Sequence, residues 1–152
     1  MTDATGTALR LERTFDADPQ AVFDAWTHPD VLRRWWAAGP DWDTPEVDVD
    51  LRVGGRYRLA MRDPSTGGVY AVAGEYIDVD PPRRLAYTWA WEGLGAPESR
   101  VSVEFHAVTG GGTRVVVTHH GLAPDGTGPE SRTGHEQGWT GCLDNLERRV
   151  FA

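Results

Sequence analysis

The pattern of apolar and polar residues in the first part of the chain predicts one strand followed by two short helices. Residues 8–15 alternate between apolar and polar side chains, as a half-buried strand does. Asp18 and Pro19 match the N-cap and the first position of a helix. A second proline, Pro29, begins another helix with an apolar face, which we expect to end at Gly39.

From Glu46 onward the apolar residues recur at every second position, which indicates six further strands. One of these is a longer strand over 69–79. The side chains that share a face along the others are Val47, Val49 and Leu51, then Tyr57, Leu59 and Met61, then Leu85, Tyr87, Trp89 and Trp91, then Val101, Val103 and Phe105, and finally Val115, Val117 and His119. The connections are short and rich in glycine and proline, which favours an antiparallel meander.

The last element is a helix with one apolar face. This face consists of Trp139, Cys142, Leu143, Leu146 and Val150, which recur at spacings of three and four residues. Two glycines, Gly138 and Gly141, weaken this helix by about 1 kcal/mol each relative to alanine. They therefore indicate either the close approach of a neighbouring backbone or a need for space beside the helix.

Together these elements predict an α+β fold. We expect a curved seven-stranded antiparallel sheet, with two short helices after the first strand. A long C-terminal helix should cover the concave face of the sheet, because no other element has an apolar face of sufficient length. Residues 1–7 follow neither pattern and are expected to form a flexible N-terminus before a single domain over 8–152.

Composition and charge exclude several function classes. The chain of 152 residues has a net charge of −8, and all 15 of its basic residues are arginine. Without lysine it has no amine for a Schiff base, for covalently held pyridoxal phosphate or for a Walker-type phosphate loop. An acidic protein is also a poor partner for nucleic acid or an anionic membrane. No apolar run is long enough for membrane insertion.

Cysteine and histidine usage argues against metal and disulfide chemistry. A single cysteine, Cys142, permits neither an internal disulfide nor a multi-cysteine zinc site, and with no secretion signal it fits a cytoplasmic protein. Its position on the apolar helix face favours a buried hydrophobic role. The five histidines have none of the spacings of metal-binding motifs, so we expect no metal. We also expect no cofactor, because the glycine pair at 54–55 precedes a strand rather than the helix of a phosphate-binding loop.

Short motifs along nearly the whole chain, taken together, resemble one protein superfamily. They are RTFDA at 13–17, VF at 22–23, AW at 25–26, PD at 29–30, WW at 35–36, DLRVGG at 50–55, the stretch from Gly74 through PP at 81–82 to RL at 84–85, GT at 112–113, HHG at 119–121 and HEQGW at 135–139. Their order and spacing are similar to those of the START-like or SRPBCC superfamily, which includes the birch-pollen allergen. Within it, the chain most resembles the bacterial single-domain relatives of the activator of the heat-shock-protein-ninety ATPase.

This resemblance implies a helix-grip fold with a cavity between the sheet and the long helix. It implies no single chemistry, because members carry lipids and hormones, cyclise polyketides or assist a chaperone. The aromatic residues of this chain independently support a cavity, since such side chains suit small-molecule pockets as well as cores. The predicted ligand-binding residues are Trp35, Trp36, Trp42, Tyr57, Met61, Tyr87, Trp89, Trp91, Phe105, His119, His135, Trp139 and Cys142. We expect about half of the aromatic residues to be structural only, because a pocket wall is usually continuous with the core.

Two histidines are predicted to point towards the same space. His119 shares a strand face with Val117, and His135 lies four residues before Trp139 on the helix. In a desolvated cavity these two imidazoles are the candidate catalytic residues for a proton transfer. The alternative is a structural role, in which each ring binds a backbone carbonyl or a tyrosine hydroxyl.

Three functions are consistent with these features. The first is a protein that binds a small hydrophobic or aromatic molecule, with the loop over 121–129 as a gate. The second is an enzyme of the cyclase, dehydratase or isomerase type that uses the same pocket without a cofactor. The third, implied by the resemblance, is a co-chaperone that stimulates a heat-shock ATPase. The oligomeric state stays open, with a homodimer as the default for a small bacterial protein.

Overall fold

The computed structural model of the chain describes residues 8–93, 98–122 and 132–151. Its elements are β1 (Leu9–Phe15), α1 (Pro19–Thr27), α2 (Pro29–Trp35), β2 (Asp43–Val49), β3 (Arg56–Arg62), β4 (Val69–Asp80), β5 (Arg84–Trp91), β6 (Ser99–Ala107), β7 (Thr113–His120) and α3 (Arg132–Arg149). The predicted succession of one strand, two short helices, six strands and a long helix is confirmed. The predicted flexible N-terminus at 1–7 and most of the predicted gate over 121–129 lie outside the described residues.

The seven strands form one antiparallel sheet in the order β1-β7-β6-β5-β4-β3-β2. Strands β2 to β7 follow one another as the predicted meander, and β1 pairs with β7 along its whole length. The register of β4 against β5 shifts between Tyr76 and Asp78, an irregularity of the kind that bends a strand. The curved sheet and the long helix α3 together form the predicted helix grip.

Local sequence determines where both short helices begin. The carboxylate of Asp18 accepts a hydrogen bond from the backbone N–H of Ala21 at 2.8 Å, and Pro19 follows as the first helical residue. His28 caps the end of α1 and precedes α2, which begins at Pro29. The two helices are therefore continuous except for a single residue.

The core lies between the inner face of the sheet and the three helices. One cluster of apolar side chains joins residues from every strand and every helix. The inward faces predicted for β6 and β7 are completely buried at Val101, Val103 and Val117. Because the core is continuous beneath α3, any cavity under this helix must be bounded by core residues.

The outer face of the sheet is covered by charged side chains. Arg58 on β3 contacts both Glu46 and Glu92, and Arg62 contacts Asp43. Such exposed ion pairs each contribute about 0–1 kcal/mol, so they add solubility more than stability. In the parts of the chain that the structure describes, no helix is long and apolar enough to cross a membrane.

One predicted strand ends earlier than its pattern indicates. The alternation predicts that Leu51 continues the strand of Val47 and Val49, but β2 ends at Val49 and Leu51 is 37% exposed. A tight turn follows, in which the N–H of Gly55 binds the carbonyl oxygen of Arg52. Alternation by itself does not distinguish the end of a strand from the beginning of such a turn.

The two glycines of α3 serve both of the purposes that the sequence indicates. A Cβ atom on Gly141 would lie 1.9 Å from the carbonyl oxygen of Ala38, so only glycine permits the contact between α3 and the segment after α2. At Gly138 the nearest atom to an added Cβ is the Cβ of Ala38, at 3.9 Å. Gly141 therefore permits close approach, and Gly138 leaves space beside the helix.

These two positions predict opposite effects of the same substitution. Gly141→Ala should lower the free energy of unfolding by about 1–3 kcal/mol, because the helix must move away from Ala38. Gly138→Ala should raise it by up to about 1 kcal/mol, because alanine fits there and favours the helix. Urea unfolding of both variants measures the difference, and equal effects would contradict the packing described for Gly141.

Candidate functional site

A cavity of about 200 Å³ lies between the first half of α3, the segment after α2, and the ends of β3, β4 and β5. Its lining residues are Trp36, Ala38, Trp42, Met61, Tyr70, Trp89, Trp91, Gly134, His135, Gly138, Trp139 and Cys142. Most of this surface is aromatic. Among these lining residues, all within the described part of the chain, none has a charged side chain at neutral pH when histidine is neutral.

Strand alternation and register provide the sheet side of the wall. Met61 on β3 lies directly opposite Tyr70 on β4, and residues paired in this way share a face. Trp89 and Trp91 are two positions apart on β5 and therefore also share a face. Their rings meet at a centroid distance of 5.4 Å and an angle of 89°. The sheet thus contributes two perpendicular indoles and the pair of Met61 and Tyr70.

The helix side of the wall comes from one face of α3. His135, Gly138, Trp139 and Cys142 follow at spacings of three and four residues, so they point towards the sheet together. Burial raises the pKa of the Cys142 thiol to about 12. The thiol therefore stays protonated at neutral pH and contributes a small uncharged part of the wall.

A buried amide that the sequence analysis missed holds the third side of the wall. Asn145 on α3 is completely buried, and its side-chain N–H groups donate to the carbonyl oxygens of Ala37 and Gly39, both at 2.9 Å. Trp42 then packs against Gly39, where a Cβ atom would lie 2.5 Å from the indole ring. The sequence does contain a signal for Asn145. It lies three residues after Cys142, where the helical spacing predicts a buried side chain, and a buried amide needs hydrogen-bond partners.

Trp42 and Tyr70 form the solvent-facing part of the wall. Their rings stack at a centroid distance of 6.1 Å and an interplanar angle of 20°. Tyr70 is 36% exposed, whereas Trp42 is half-buried. This pair joins the segment after α2 to the beginning of β4. The sequence analysis did not assign Tyr70 to the site, because finding it requires the register opposite Met61.

His119 lies behind the wall and is completely buried. Its Nδ1 accepts the indole N–H of Trp139 at 3.1 Å, its Nε2 bonds to the hydroxyl of Ser99 at 2.8 Å, and that hydroxyl donates to the carbonyl oxygen of Trp89 at 3.4 Å. Because an indole nitrogen only donates, Nδ1 carries no proton and the proton lies on Nε2. Burial lowers the pKa of His119 to about 2, and neighbouring His135 adds to the shift. The ring is therefore neutral.

His135 lines the cavity directly. Its Nε2 accepts the indole N–H of Trp91 at 3.0 Å. The rings of His135 and His119 lie 4.8 Å apart at an angle of 76°. The two predicted histidines are therefore brought together, and each accepts a hydrogen bond from a tryptophan of the wall.

The structure gathers most of the predicted ligand-binding residues at this cavity. Those that line it are Trp36, Trp42, Met61, Trp89, Trp91, His135, Trp139 and Cys142. Those that lie elsewhere are Trp35, Tyr57, Tyr87, Phe105 and His119. The lining also includes residues that were not predicted to bind ligand, namely Ala38, Tyr70, Gly134 and Gly138.

Two of the residues outside the lining belong to the core between the sheet and the short helices. Trp35 is completely buried, and its indole N–H donates to the carbonyl oxygen of Ala25 at 2.9 Å. Phe105 packs edge-on against Phe23 at a centroid distance of 5.3 Å. Both side chains point inward as predicted, but their neighbours fill the surrounding space.

Tyr57 and Tyr87 surround a separate void of about 10 Å³, which is roughly the space of one water molecule. Trp36 lines both this void and the larger cavity, so its ring lies between them. Burial raises the pKa of both tyrosines, and the hydroxyl of Tyr57 bonds to the carbonyl oxygen of Thr88. These hydroxyls are consequently protonated and lie apart from the main cavity.

Comparison with protein families identifies the chain. The family model described as Activator of Hsp90 ATPase homolog 1-like protein (AHSA1) matches residues 16–150. The chain therefore belongs to this family, in agreement with the START-like resemblance of its motifs. A search of the curated proteins found no match.

Solved structures with similar folds include several proteins of this type. Protein CV1439 from Chromobacterium violaceum is 26% identical, with a TM-score of 0.81 over 96% of this chain and 98% of that chain. The AHSA1-like protein from Aeromonas hydrophila is 30% identical, with a TM-score of 0.70 over 93% and 92%. PFC0360w, an HSP90 activator from Plasmodium falciparum, is 23% identical, with a TM-score of 0.71 over 93% and 94%. The Plasmodium likeness concerns the fold alone.

The neutral state of His119 predicts how stability depends on pH. Its pKa is about 2 in the folded protein against an ordinary value of 6.5, so below pH 6.5 the unfolded chain takes up a proton that the folded protein does not. Stability should therefore be greatest above pH 6.5 and fall as the pH decreases, by up to about 1.4 kcal/mol per pH unit. Urea unfolding at pH 7, 6 and 5 measures this slope.

Two variants test whether the pH dependence of the free energy of unfolding comes from His119. His119→Gln should reduce it, because glutamine does not titrate. His106→Gln is the matched control, because His106 is exposed and pairs with Glu104 on the surface. If His119→Gln keeps the wild-type slope, the assignment to a buried neutral imidazole is wrong.

Proposed function

We propose that this member of the AHSA1 family binds a small, uncharged, aromatic molecule in the cavity under α3. The observation that carries the proposal is the wall, in which tryptophans surround about 200 Å³ and the lining residues carry no charged group. Aromatic side chains offer a large apolar area and favourable offset or edge-on contacts to another ring. Removal of a ligand's apolar surface from water would supply most of the affinity.

The size of the cavity supports a ligand of one or two rings. An apolar cavity of roughly 150 Å³ in a protein core accepts benzene. A space of about 200 Å³ therefore accommodates a single ring with a short substituent or a small fused ring system. Larger ligands would require Trp36 to move, because its ring separates the cavity from the void beside Tyr57.

The electrostatics of the wall support an uncharged ligand. An ionised group that enters an apolar cavity loses its hydration, and this costs several kcal/mol unless an opposite charge pairs with it. The lining residues of the described chain supply no such charge, and His119 behind the wall is held neutral.

The geometry of the two histidines favours binding over proton transfer. A general base needs a lone pair that is free to reach the substrate. Nδ1 of His119 accepts from Trp139, and Nε2 of His135 accepts from Trp91. A pKa of about 2 also makes His119 a very weak base at neutral pH. These imidazoles thus support the role of fixing the orientation of two wall tryptophans.

Activation of an Hsp90 ATPase is the second candidate function, and the family description carries it. The test is the ATPase rate of a purified bacterial Hsp90 homologue with and without this protein. A concentration-dependent rise that persists when the cavity is blocked would support a co-chaperone acting through its surface. An unchanged rate would exclude this function for the homologue tested.

Binding to the cavity can be tested with indane, a compact two-ring hydrocarbon. Calorimetry should detect binding of indane to the wild-type protein. Gly138→Leu should weaken it at least 10-fold, because the new side chain extends into the space that Gly138 leaves. Gln137→Leu is the matched control, since it adds the same group at an exposed position of the same helix and should leave the affinity unchanged.

Two results would count against this proposal. Absence of binding by the wild-type protein, for indane and for a panel of other one-ring and two-ring compounds, would exclude an open aromatic cavity. Equal affinity of Gly138→Leu and Gln137→Leu for indane would place the binding site elsewhere on the protein.

A further inference from the structure

The wall of the cavity has more hydrogen-bond donors than acceptors. Two of its indole N–H groups are already used, because Trp91 donates to His135 and Trp139 donates to His119. In the parts of the chain that the structure describes, the lining indoles whose N–H has no acceptor are those of Trp36, Trp42 and Trp89. The wall therefore holds a surplus of donors.

Two of these tryptophans are almost completely buried as residues, and the N–H of one of them is fully covered. Trp36 is 2% exposed and Trp89 is 5% exposed. The Nε1 atom of Trp89 is fully covered, and among the described residues it has no hydrogen-bond partner. The ring of Trp89 packs against the rings of Trp91 and Trp139, each at a centroid distance of 5.4 Å. An aromatic face is only a weak hydrogen-bond acceptor. A buried donor without an acceptor is unfavourable. A small shift of the rings that cover Trp89 Nε1 would let a ligand acceptor reach it.

Free side-chain acceptors are scarce in the same wall. Nε2 of His135 already accepts the N–H of Trp91. The sulfur atoms of Met61 and Cys142 are weak acceptors. The hydroxyl of Tyr70 both donates and accepts, but this residue belongs to the solvent-facing part of the wall. Among the described lining residues, a ligand donor placed deep in the cavity would therefore find no strong side-chain acceptor to replace its hydration.

We propose that the ligand is an uncharged aromatic compound that carries a hydrogen-bond acceptor and no donor, such as an aryl ketone, ester or ether. This inference rests on the proposed binding function and narrows its ligand class. The acceptor oxygen receives an indole N–H from Trp36, Trp42 or Trp89. An alcohol or amine brings a donor that the deep wall does not satisfy, and a carboxylate brings a charge that the wall does not pair.

A series of compounds with one ring skeleton separates these classes. Indane, 1-indanone, 1-indanol and indane-1-carboxylate share their rings and differ in polar group. By calorimetry at pH 7.5, 1-indanone should bind the wild-type protein about 3- to 10-fold more tightly than 1-indanol. Indane-1-carboxylate should bind at least 10-fold more weakly than 1-indanone.

Tryptophan-to-phenylalanine variants then identify the donor. At least one of Trp36→Phe, Trp42→Phe and Trp89→Phe should weaken 1-indanone binding about 3- to 10-fold more than it weakens indane binding. Trp91→Phe is the matched control. It removes an N–H that His135 already accepts, so it should weaken 1-indanone and indane binding by the same factor.

Indane separates failure of this inference from failure of the proposed function. If indane and 1-indanone both fail to bind, the proposed binding function is wrong, and so is the ligand class inferred from it. If indane binds but 1-indanone and 1-indanol bind equally, the binding function stands and the donor-rich wall does not select the ligand. The wild-type comparison decides this point even if a tryptophan variant does not fold.

Discussion

The side-chain amide of Asn145 is the interaction on which the shape of the site depends. From α3 it binds two carbonyl oxygens of the segment after α2, and Gly141 beside it lets the two backbones touch. One turn closer to the beginning of the helix, Gly138 lines the cavity, and a Cβ atom there would lie 3.9 Å from the Cβ of Ala38. The amide and Gly141 hold the helix against its neighbour, and the cavity lies beside Gly138 in the preceding turn.

The polar groups near the cavity are organised to remain neutral. Burial keeps His119 neutral, and its two nitrogens continue a chain of hydrogen bonds from Trp139 to the backbone of Trp89. Each imidazole accepts one indole N–H, which fixes that indole in the wall. Among the residues that the structure describes, the indoles of Trp36, Trp42 and Trp89 have no acceptor for their N–H. Such a wall suits the proposed recognition of a ligand by apolar contact and by indole N–H donation.

The sequence predicted the fold well because its signals are periodic. Alternation placed Trp89 and Trp91 on one face, and helical spacing placed His135 and Trp139 on another. What it could not predict depends on contacts between distant segments. Tyr70 requires the register of β3 against β4, and the separation of Tyr57 from the cavity requires the position of the Trp36 ring. An inward-facing residue is predictable from its pattern, but whether it meets a neighbour or an empty space is decided by packing.

The most direct test of this account is whether the space under α3 is empty and apolar in the protein alone. Crystals of the protein can be pressurised with xenon, which occupies apolar cavities without needing any polar contact. The account predicts xenon density bounded by Trp36, Trp89 and Trp139, beside Gly138. Absence of xenon there, with the indole rings packed into the space instead, would contradict it.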